Sequence, residues 1–174
     1  MTEDHIIISL RCRCGHVHGT AAYDVTSTGE PEGWRPHIWT ALRYQSGAQM
    51  QYLGRFVLSE GSRYQHLELA SQDLEPRGGV QALADGLDGW AFLMRTAERD
   101  FALAYFEQHA PRVRMKGFTA GGRYRWTWFD PRNGAWSRPQ PARADGAGTL
   151  TTPAFPAGGA TAERDVAAKI LASP

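Results

Sequence analysis

The sequence has few cysteines and no long apolar run. Its 174 residues include two cysteines, Cys12 and Cys14, which lie too close along the chain for a disulfide between them to cross-link distant segments. A reducing compartment is therefore expected. No stretch approaches the ~18 continuous apolar residues of a membrane-spanning helix. The first apolar run, residues 6–8, follows acidic residues, whereas a signal peptide begins with basic ones. These absences predict a cytoplasmic protein that enters no membrane.

The sequence also lacks an excess of either charge, because 19 basic and 18 acidic residues leave a formal net charge of +1. A nucleic-acid-binding domain usually carries a strong basic field, so no nucleic-acid partner is expected. Apolar residues make up 42% of the chain and charged residues 21%, which is typical of a globular protein. A chain of this length buries roughly 70% of its unfolded surface, enough for one core.

The chain divides into three segments by pattern. Residues 1–33 form a leader of unknown structure, and residues 34–61 form a helical segment. Met50, Leu53 and Val57 recur at helical spacing in that segment, and Gly47 is predicted to divide it into two helices. Residues 62–174 contain short strand-like runs separated by turn residues, the pattern of an antiparallel β-sandwich.

Local signals place individual strands within residues 62–174. Residues 90–96 and 101–106 are apolar on both faces and predict a central hairpin. Tyr124, Trp126 and Trp128 alternate with polar residues, so their rings share one face of a strand. The sequence D-P-R-N-G at residues 130–134 then predicts a tight reversal into residues 135–137. Further strands are expected at residues 148–152 and 165–171. The predicted fold class is mainly β, an antiparallel β-sandwich with a short N-terminal helical segment.

The stretch W-T-W-F-D-P-R-N-G-A-W-S, residues 126–137, resembles the signature of a known domain. This is the collagen-binding-like β-sandwich domain that follows the catalytic barrel in a group of bacterial glycoside hydrolases. R-T-A-E-R-D-F-A-L-A-Y-F resembles the preceding hairpin of that domain, and G-T-L-T-T-P resembles the following strand. The resemblance covers about residues 80–172. Relatives of this kind are often exported.

A shorter resemblance lies upstream, where W-T-A-L and G-A-Q-M-Q-Y-L-G-R-F, within residues 39–56, are similar to the last helix of the (β/α)₈ barrel in those enzymes. The resemblance implies that the chain keeps the tail of such a barrel but lacks the strands that hold the catalytic carboxylates.

Aromatic residues are the first candidates for a ligand site, since flat rings can stack on sugar faces or contact proteins. Trp136 follows the hairpin turn and is the better candidate for an exposed ring. Trp128 is a second candidate, although Tyr124, Trp126 and Trp128 are more readily explained as core residues. Arg132 is a third candidate, although it is expected to pair with Asp130 inside the turn.

Metal ligands are the next candidates. Cys12, Cys14, His16 and His18 recur at every second position and share one side of an extended strand. Same-face residues are about 6–7 Å apart, so one flat strand cannot close all four around a tetrahedral zinc. The pair of histidines also fails to match the H-x-H-x-D-H motif of metallo-β-lactamase-like hydrolases, a superfamily that includes lactonases.

Glycoside hydrolysis requires two carboxyl groups about 5–9.5 Å apart. Most acidic candidates lie at predicted turns, where an aspartate usually bonds its own backbone. Asp85 and Asp88 form an Asp-Gly loop that favours either a turn or a calcium site. The candidates are Asp85, Asp88, Glu98, Asp100, Asp130 and Asp145.

The leading functional interpretation is an accessory β-sandwich module of glycoside-hydrolase ancestry. It would bind polysaccharide or a protein surface without a complete glycosidase site. The alternative is a small stand-alone hydrolase, calcium-dependent and acting on a lactone, ester or glycoside. A third interpretation is a fragment that self-associates, because an amphipathic helix at residues 39–58 needs a surface to cover.

Overall fold

The computed structural model describes residues 45–80 and 88–173, with the backbone alone for residues 45–50. The chain forms two compact units, Met1–Gln51 and Tyr52–Pro174, and the second contains the β-sheets. The predicted leader, the cluster from Cys12 to His18 and the candidate Asp85 lie outside the described residues. Asp88 lies inside them and is half-buried.

The described elements begin with a helix and continue with short strands. Helix α1 spans Gln45–Val57, and 3₁₀ helices span Leu58–His66 and Ser71–Asp73. The strands are β1 (Leu67–Leu69), β2 (Leu74–Glu75), β3 (Ala91–Thr96), β4 (Phe101–Phe106), β5 (Arg114–Met115), β6 (Arg123–Asp130), β7 (Ala135–Trp136), β8 (Gln140–Arg143), β9 (Leu150–Thr151) and β10 (Val166–Ala172).

Helix α1 continues through Gly47, so the predicted division into two helices at that residue is wrong. A glycine inside a helix costs about 1 kcal/mol relative to alanine. That cost is too small to end a helix by itself. Only the backbone is described at residues 45–50.

Two antiparallel sheets form the sandwich. The larger has seven strands in the order β1-β3-β4-β10-β6-β7, with β8 also paired to β6, and the smaller has the order β2-β5-β9. The predicted hairpin of residues 90–96 and 101–106 is confirmed, since β3 and β4 pair antiparallel. Strand β10 lies between β4 and β6, and its Lys169 is opposite both Leu103 and Thr127. The predicted fold class, an antiparallel β-sandwich with a short helix, is therefore confirmed.

The main core lies between the two sheets. Leu74, Met115 and Leu150 of the small sheet face the apolar residues of the large sheet. The predicted alternation in β6 is confirmed, because Tyr124, Trp126 and Trp128 are all buried in this core. Burying these rings stabilises the fold by about 25 cal/mol per Å² of apolar surface removed from water.

A second cluster lies on the opposite face of the large sheet. Phe101, Leu103 and Phe129 project from β4 and β6, and Phe56 packs on them from the end of α1. The rings of Phe56 and Phe129 are stacked with centroids 5.2 Å apart. The end of the helix therefore covers the sheet of its own unit. The expected self-association of the chain stays a prediction.

The turn between β6 and β7 forms as its residues predict. The Gly134 N–H donates to the Asp130 carbonyl at 2.8 Å, and Gly134 has a φ of 70°. The Asp130 carboxylate accepts from the Arg132 N–H at 3.0 Å. This hairpin holds β7 beside the end of β6, where the candidate site lies.

No helix within the described ranges combines the length and the apolar character needed to cross a lipid bilayer.

Candidate functional site

A cavity of about 230 Å³ lies where β6 ends at Asp130 and β10 begins at Val166. The two strands are antiparallel neighbours, with Phe129 opposite Ala167, so these two ends meet at one end of the sandwich. Residues of the β6–β7 hairpin form one side of the cavity, and residues 155–166 form the other. Two of the three predicted ligand residues, Trp128 and Trp136, line it, but Arg132 does not.

Trp128 links this cavity to the core. Its side chain is 5% exposed, and its ring lies 5.4 Å from the ring of Phe155, which comes from the opposite side. The Trp128 N–H donates to Ser137 Oγ at 2.9 Å, and the Ser137 N–H donates to the Trp128 carbonyl at 2.9 Å. Among the described residues the indole Nε1 has no hydrogen-bond partner. Trp128 is thus mainly a core residue that also forms part of a cavity wall.

Trp136 is half-buried, so the expectation of an exposed ring is only partly met. Its ring lies 4.6 Å from that of Phe129 and 5.9 Å from that of Phe56. The Lys169 ammonium is 4.7 Å from the ring centroid, at a distance that suits a cation–π contact. Lys169 Nζ also donates to the Glu60 carboxylate at 2.7 Å. Trp136 therefore belongs partly to the second apolar cluster and partly to the cavity wall.

Asp130 and Arg132 form the ion pair that the turn sequence predicts. Arg132 Nε lies 3.0 Å from Asp130 Oδ1, and Nη2 lies 2.7 Å from Oδ2. The guanidinium therefore donates to both carboxylate oxygens. The hydrogen bonds from Arg132 lower the pKa of Asp130, and the positive charge of Arg164 adds to that effect. Asp130 lines the cavity as a fixed carboxylate.

Asp165 is the second fixed carboxylate on the cavity wall. Its Oδ2 accepts from the Tyr105 hydroxyl at 2.8 Å, and its Oδ1 accepts from the Gln108 N–H at 2.8 Å. Burial, together with the negative charge of Asp165, raises the pKa of Tyr105, so the phenol stays protonated and keeps donating. Both oxygens of Asp165 are therefore oriented by donors on β4 and the loop that follows it.

Two further charged residues, Glu163 and Arg164, line the cavity beside Asp165. Both are exposed, and neither forms an ion pair with another residue in the described parts of the chain. No motif in the sequence marks Glu163, Arg164, Asp165 or Phe155 as site residues. The signal available was the triplet E-R-D, which separates a loop rich in glycine and proline from an apolar strand.

The other predicted carboxylates are held at their own turns. Asp145 Oδ1 accepts from the N–H groups of Ala147 and Thr149, which lowers the pKa of Asp145. Asp100 accepts from the Thr96 hydroxyl at 2.8 Å, and this bond, with the nearby Arg63, lowers its pKa. Glu98 is exposed. Within residues 45–80 and 88–173, no three His, Cys, Asp or Glu side chains lie together as a metal site would require.

Comparison with solved structures gives several partial matches, and two of them are glycoside hydrolases. A protein described as a glycoside hydrolase matches with a TM-score of 0.56 and 14% identity, over 85% of this chain and 30% of its own. A glycoside hydrolase family 5 protein from Bacteroides vulgatus ATCC 8482 matches with a TM-score of 0.54 and 15% identity, over 81% of this chain and 27% of its own. The chain shares its fold with a segment of these glycoside hydrolases.

The chain spans less than a third of the length of either structure. No protein-family model matches the sequence, and no curated protein matches it either.

Proposed function

We propose that this chain is an accessory β-sandwich module of glycoside-hydrolase ancestry that binds a polysaccharide and has no glycosidase pair of its own. The supporting observation is that its fold matches only 27–30% of each glycoside hydrolase chain. A domain appended to a larger catalytic part would give a match of this extent. The function itself depends on the site, because fold alone does not fix it.

Asp100, Asp130 and Asp145 are not candidates for the general acid of a glycosidase. A glycosidase needs one carboxyl group with a raised pKa to act as general acid. Here hydrogen bonds lower the pKa of Asp100, Asp130 and Asp145, which keeps each of them ionised. These groups are suited to holding turns or accepting hydrogen bonds from a ligand, and they are unsuited to protonating a leaving group.

The cavity favours a polysaccharide over a protein surface as the partner. A stable protein interface buries about 800 Å² on each partner. The cavity between the hairpin and residues 155–166 is concave, has a volume of about 230 Å³, and combines aromatic walls with fixed carboxylates. Those features suit a small polyhydroxylated group, and a sugar unit of a polysaccharide has that chemistry.

A retention assay tests the binding proposal. The purified protein would be run through native gels containing soluble glucans, xylans or mannans, and would be incubated with cellulose, chitin and fibrillar collagen. We expect at least one polysaccharide to retain the protein relative to serum albumin, which serves as the non-binding control. Retention by collagen alone would show that the partner is a protein and not a polysaccharide.

A turnover assay tests the statement that the module is not catalytic. Aryl glycosides, esters and lactones would be offered to the protein with added calcium and with a chelator. We expect no hydrolysis above the uncatalysed rate in either condition. Turnover that disappears with the chelator and returns with calcium would establish the hydrolase alternative.

A further inference from the structure

The cavity is small enough to select the size of its ligand. Pockets for drug-sized ligands span roughly 300–1,000 Å³. The volume of about 230 Å³ falls below that range, so the cavity admits one ring with its substituents. Trp128 and Phe155, whose rings contact each other, line the cavity, and Trp136 also lines it. One side of a ligand would therefore meet apolar surface.

The polar part of the cavity wall carries charges of both signs. Asp130 and Asp165 are fixed by donors from Arg132, Tyr105 and the backbone of Gln108. Glu163 and Arg164 are exposed on the same wall. A carboxylate only accepts hydrogen bonds and a guanidinium only donates them, whereas a hydroxyl group does both. A ligand with several hydroxyl groups can therefore donate to the carboxylates and accept from the guanidinium.

An acidic ligand would fit this wall poorly. An acidic group would meet the carboxylates of Asp130, Glu163 and Asp165, which outnumber the single guanidinium of Arg164. Such contacts bring like charges together, which costs binding energy. The wall therefore disfavours an anionic ligand.

Building on the function proposed above, we propose that this cavity between the β6–β7 hairpin and residues 155–166 binds one sugar ring without an acidic group, at the end of a glycan chain. The apolar side of the ring would lie against the aromatic residues, and its hydroxyl groups would bond to the charged residues. A single ring makes few contacts, so the dissociation constant for a monosaccharide is expected to be on the order of 1 mM.

The test uses a bulky substitution at the cavity and the same substitution elsewhere. Ala157 is exposed and lines the cavity, so Ala157→Phe would fill it without removing a core side chain. Ala147 is exposed in the turn that Asp145 holds, and it does not line the cavity. Ala147→Phe is therefore the matched control. Saturation-transfer NMR with methyl glucoside, galactoside, mannoside and N-acetylglucosaminide measures binding.

We expect at least one neutral glycoside to bind the wild type and Ala147→Phe equally, and Ala157→Phe to bind about tenfold more weakly or worse. Arg164→Ala removes a side chain that has no ion pair among the described residues, and should weaken binding about twofold to tenfold. This second variant keeps the test decisive if Ala157→Phe unfolds.

The two proposals fail differently. If a polysaccharide retains Ala157→Phe and Arg164→Ala as well as it retains Ala147→Phe, the cavity is excluded while the binding function stands. If no polysaccharide retains the wild type and no glycoside binds it, both proposals are wrong. Tighter binding of glucuronate than of every neutral sugar would overturn the assignment of a ring without an acidic group.

Discussion

Gly148 ends the turn between β8 and β9, and its backbone lies against that of Phe118. The Phe118 N–H donates to the Gly148 carbonyl at 2.9 Å, and Gly148 has a φ of 75°. A Cβ atom at this position would collide with the Phe118 carbonyl oxygen. Gly146, in the same turn, has no positive φ and has open space around the position of a Cβ atom. Position 148 therefore requires glycine, whereas position 146 has room for a side chain.

We expect Gly148→Ala to lower the free energy of unfolding by about 1–3 kcal/mol, because alanine is strained at positive φ and cannot move away from a backbone atom. Gly146→Ala is the control, and should leave stability unchanged or raise it by about 0.4–1 kcal/mol through the unfolded chain. Urea unfolding followed by circular dichroism measures both. Equal effects of the two substitutions would contradict the prediction.

The stability of the β6–β7 hairpin is expected to depend on pH through the ionisation of Asp130. Its pKa is lowered in the folded state, mainly by the hydrogen bonds from Arg132. A carboxylate with a lowered folded pKa contributes stability above its unfolded pKa, which is about 3.9. That contribution is lost as the pH falls through the lower, folded value. The hairpin is therefore expected to weaken in acid.

We expect Arg132→Met to return the pKa of Asp130 toward its ordinary value, because the forked hydrogen bonds are removed. NMR titration of the Asp130 carboxyl carbon measures this shift directly. The Asp130 carboxylate contributes stability that is lost below about pH 4. Asp130→Asn should lack this pH-dependent contribution. An unchanged titration of Asp130 in Arg132→Met would show that Arg132 does not set its pKa.

At the scale of elements, both faces of β6 are covered from Trp126 to Phe129. One face lies in the core between the sheets, and the other lies under the end of α1. The alternation of rings in the sequence predicted the first face. The burial of Phe129 depends on Phe56, which is distant in the sequence, so no local pattern indicated it.

We expect Phe56→Ala to destabilise the protein by about 3 kcal/mol, because Phe56 is 8% exposed and stacks on Phe129 and Trp136. Phe92→Ala removes the same ring from a position that is 38% exposed, and should cost under about 1 kcal/mol. Guanidinium unfolding compares the two variants. A small effect at Phe56 would mean that the helix end contributes little to the second cluster.

At the scale of the whole molecule, charge is nearly balanced. The formal net charge is +1 and the isoelectric point is about 7.9. A protein near zero net charge has little electrostatic repulsion between copies. Exposed apolar side chains on the described surface, such as Leu69 at 63% and Leu58 at 54%, add short-range attraction.

We therefore expect the solubility of the protein to pass through a minimum close to pH 8 and to rise at pH 6 and at pH 10. Precipitation by ammonium sulfate across this range measures it. Leu69→Lys adds a positive charge and removes an exposed apolar side chain, so it should raise solubility at pH 7 and move the minimum upward. A solubility that does not vary with pH would contradict this account.

The amino-acid sequence by itself determined the β-sandwich class, the β3–β4 and β6–β7 hairpins and the bonding of Asp130 and Asp145 within their turns. These features depend on alternation and on turn chemistry, which act between residues close in the chain. Only the tertiary structure decided that Trp136 is half-buried and that Asp130 meets Glu163, Arg164 and Asp165 around one cavity. Those residues lie on different strands and loops, and the pairing of β6 with β10 brings them together.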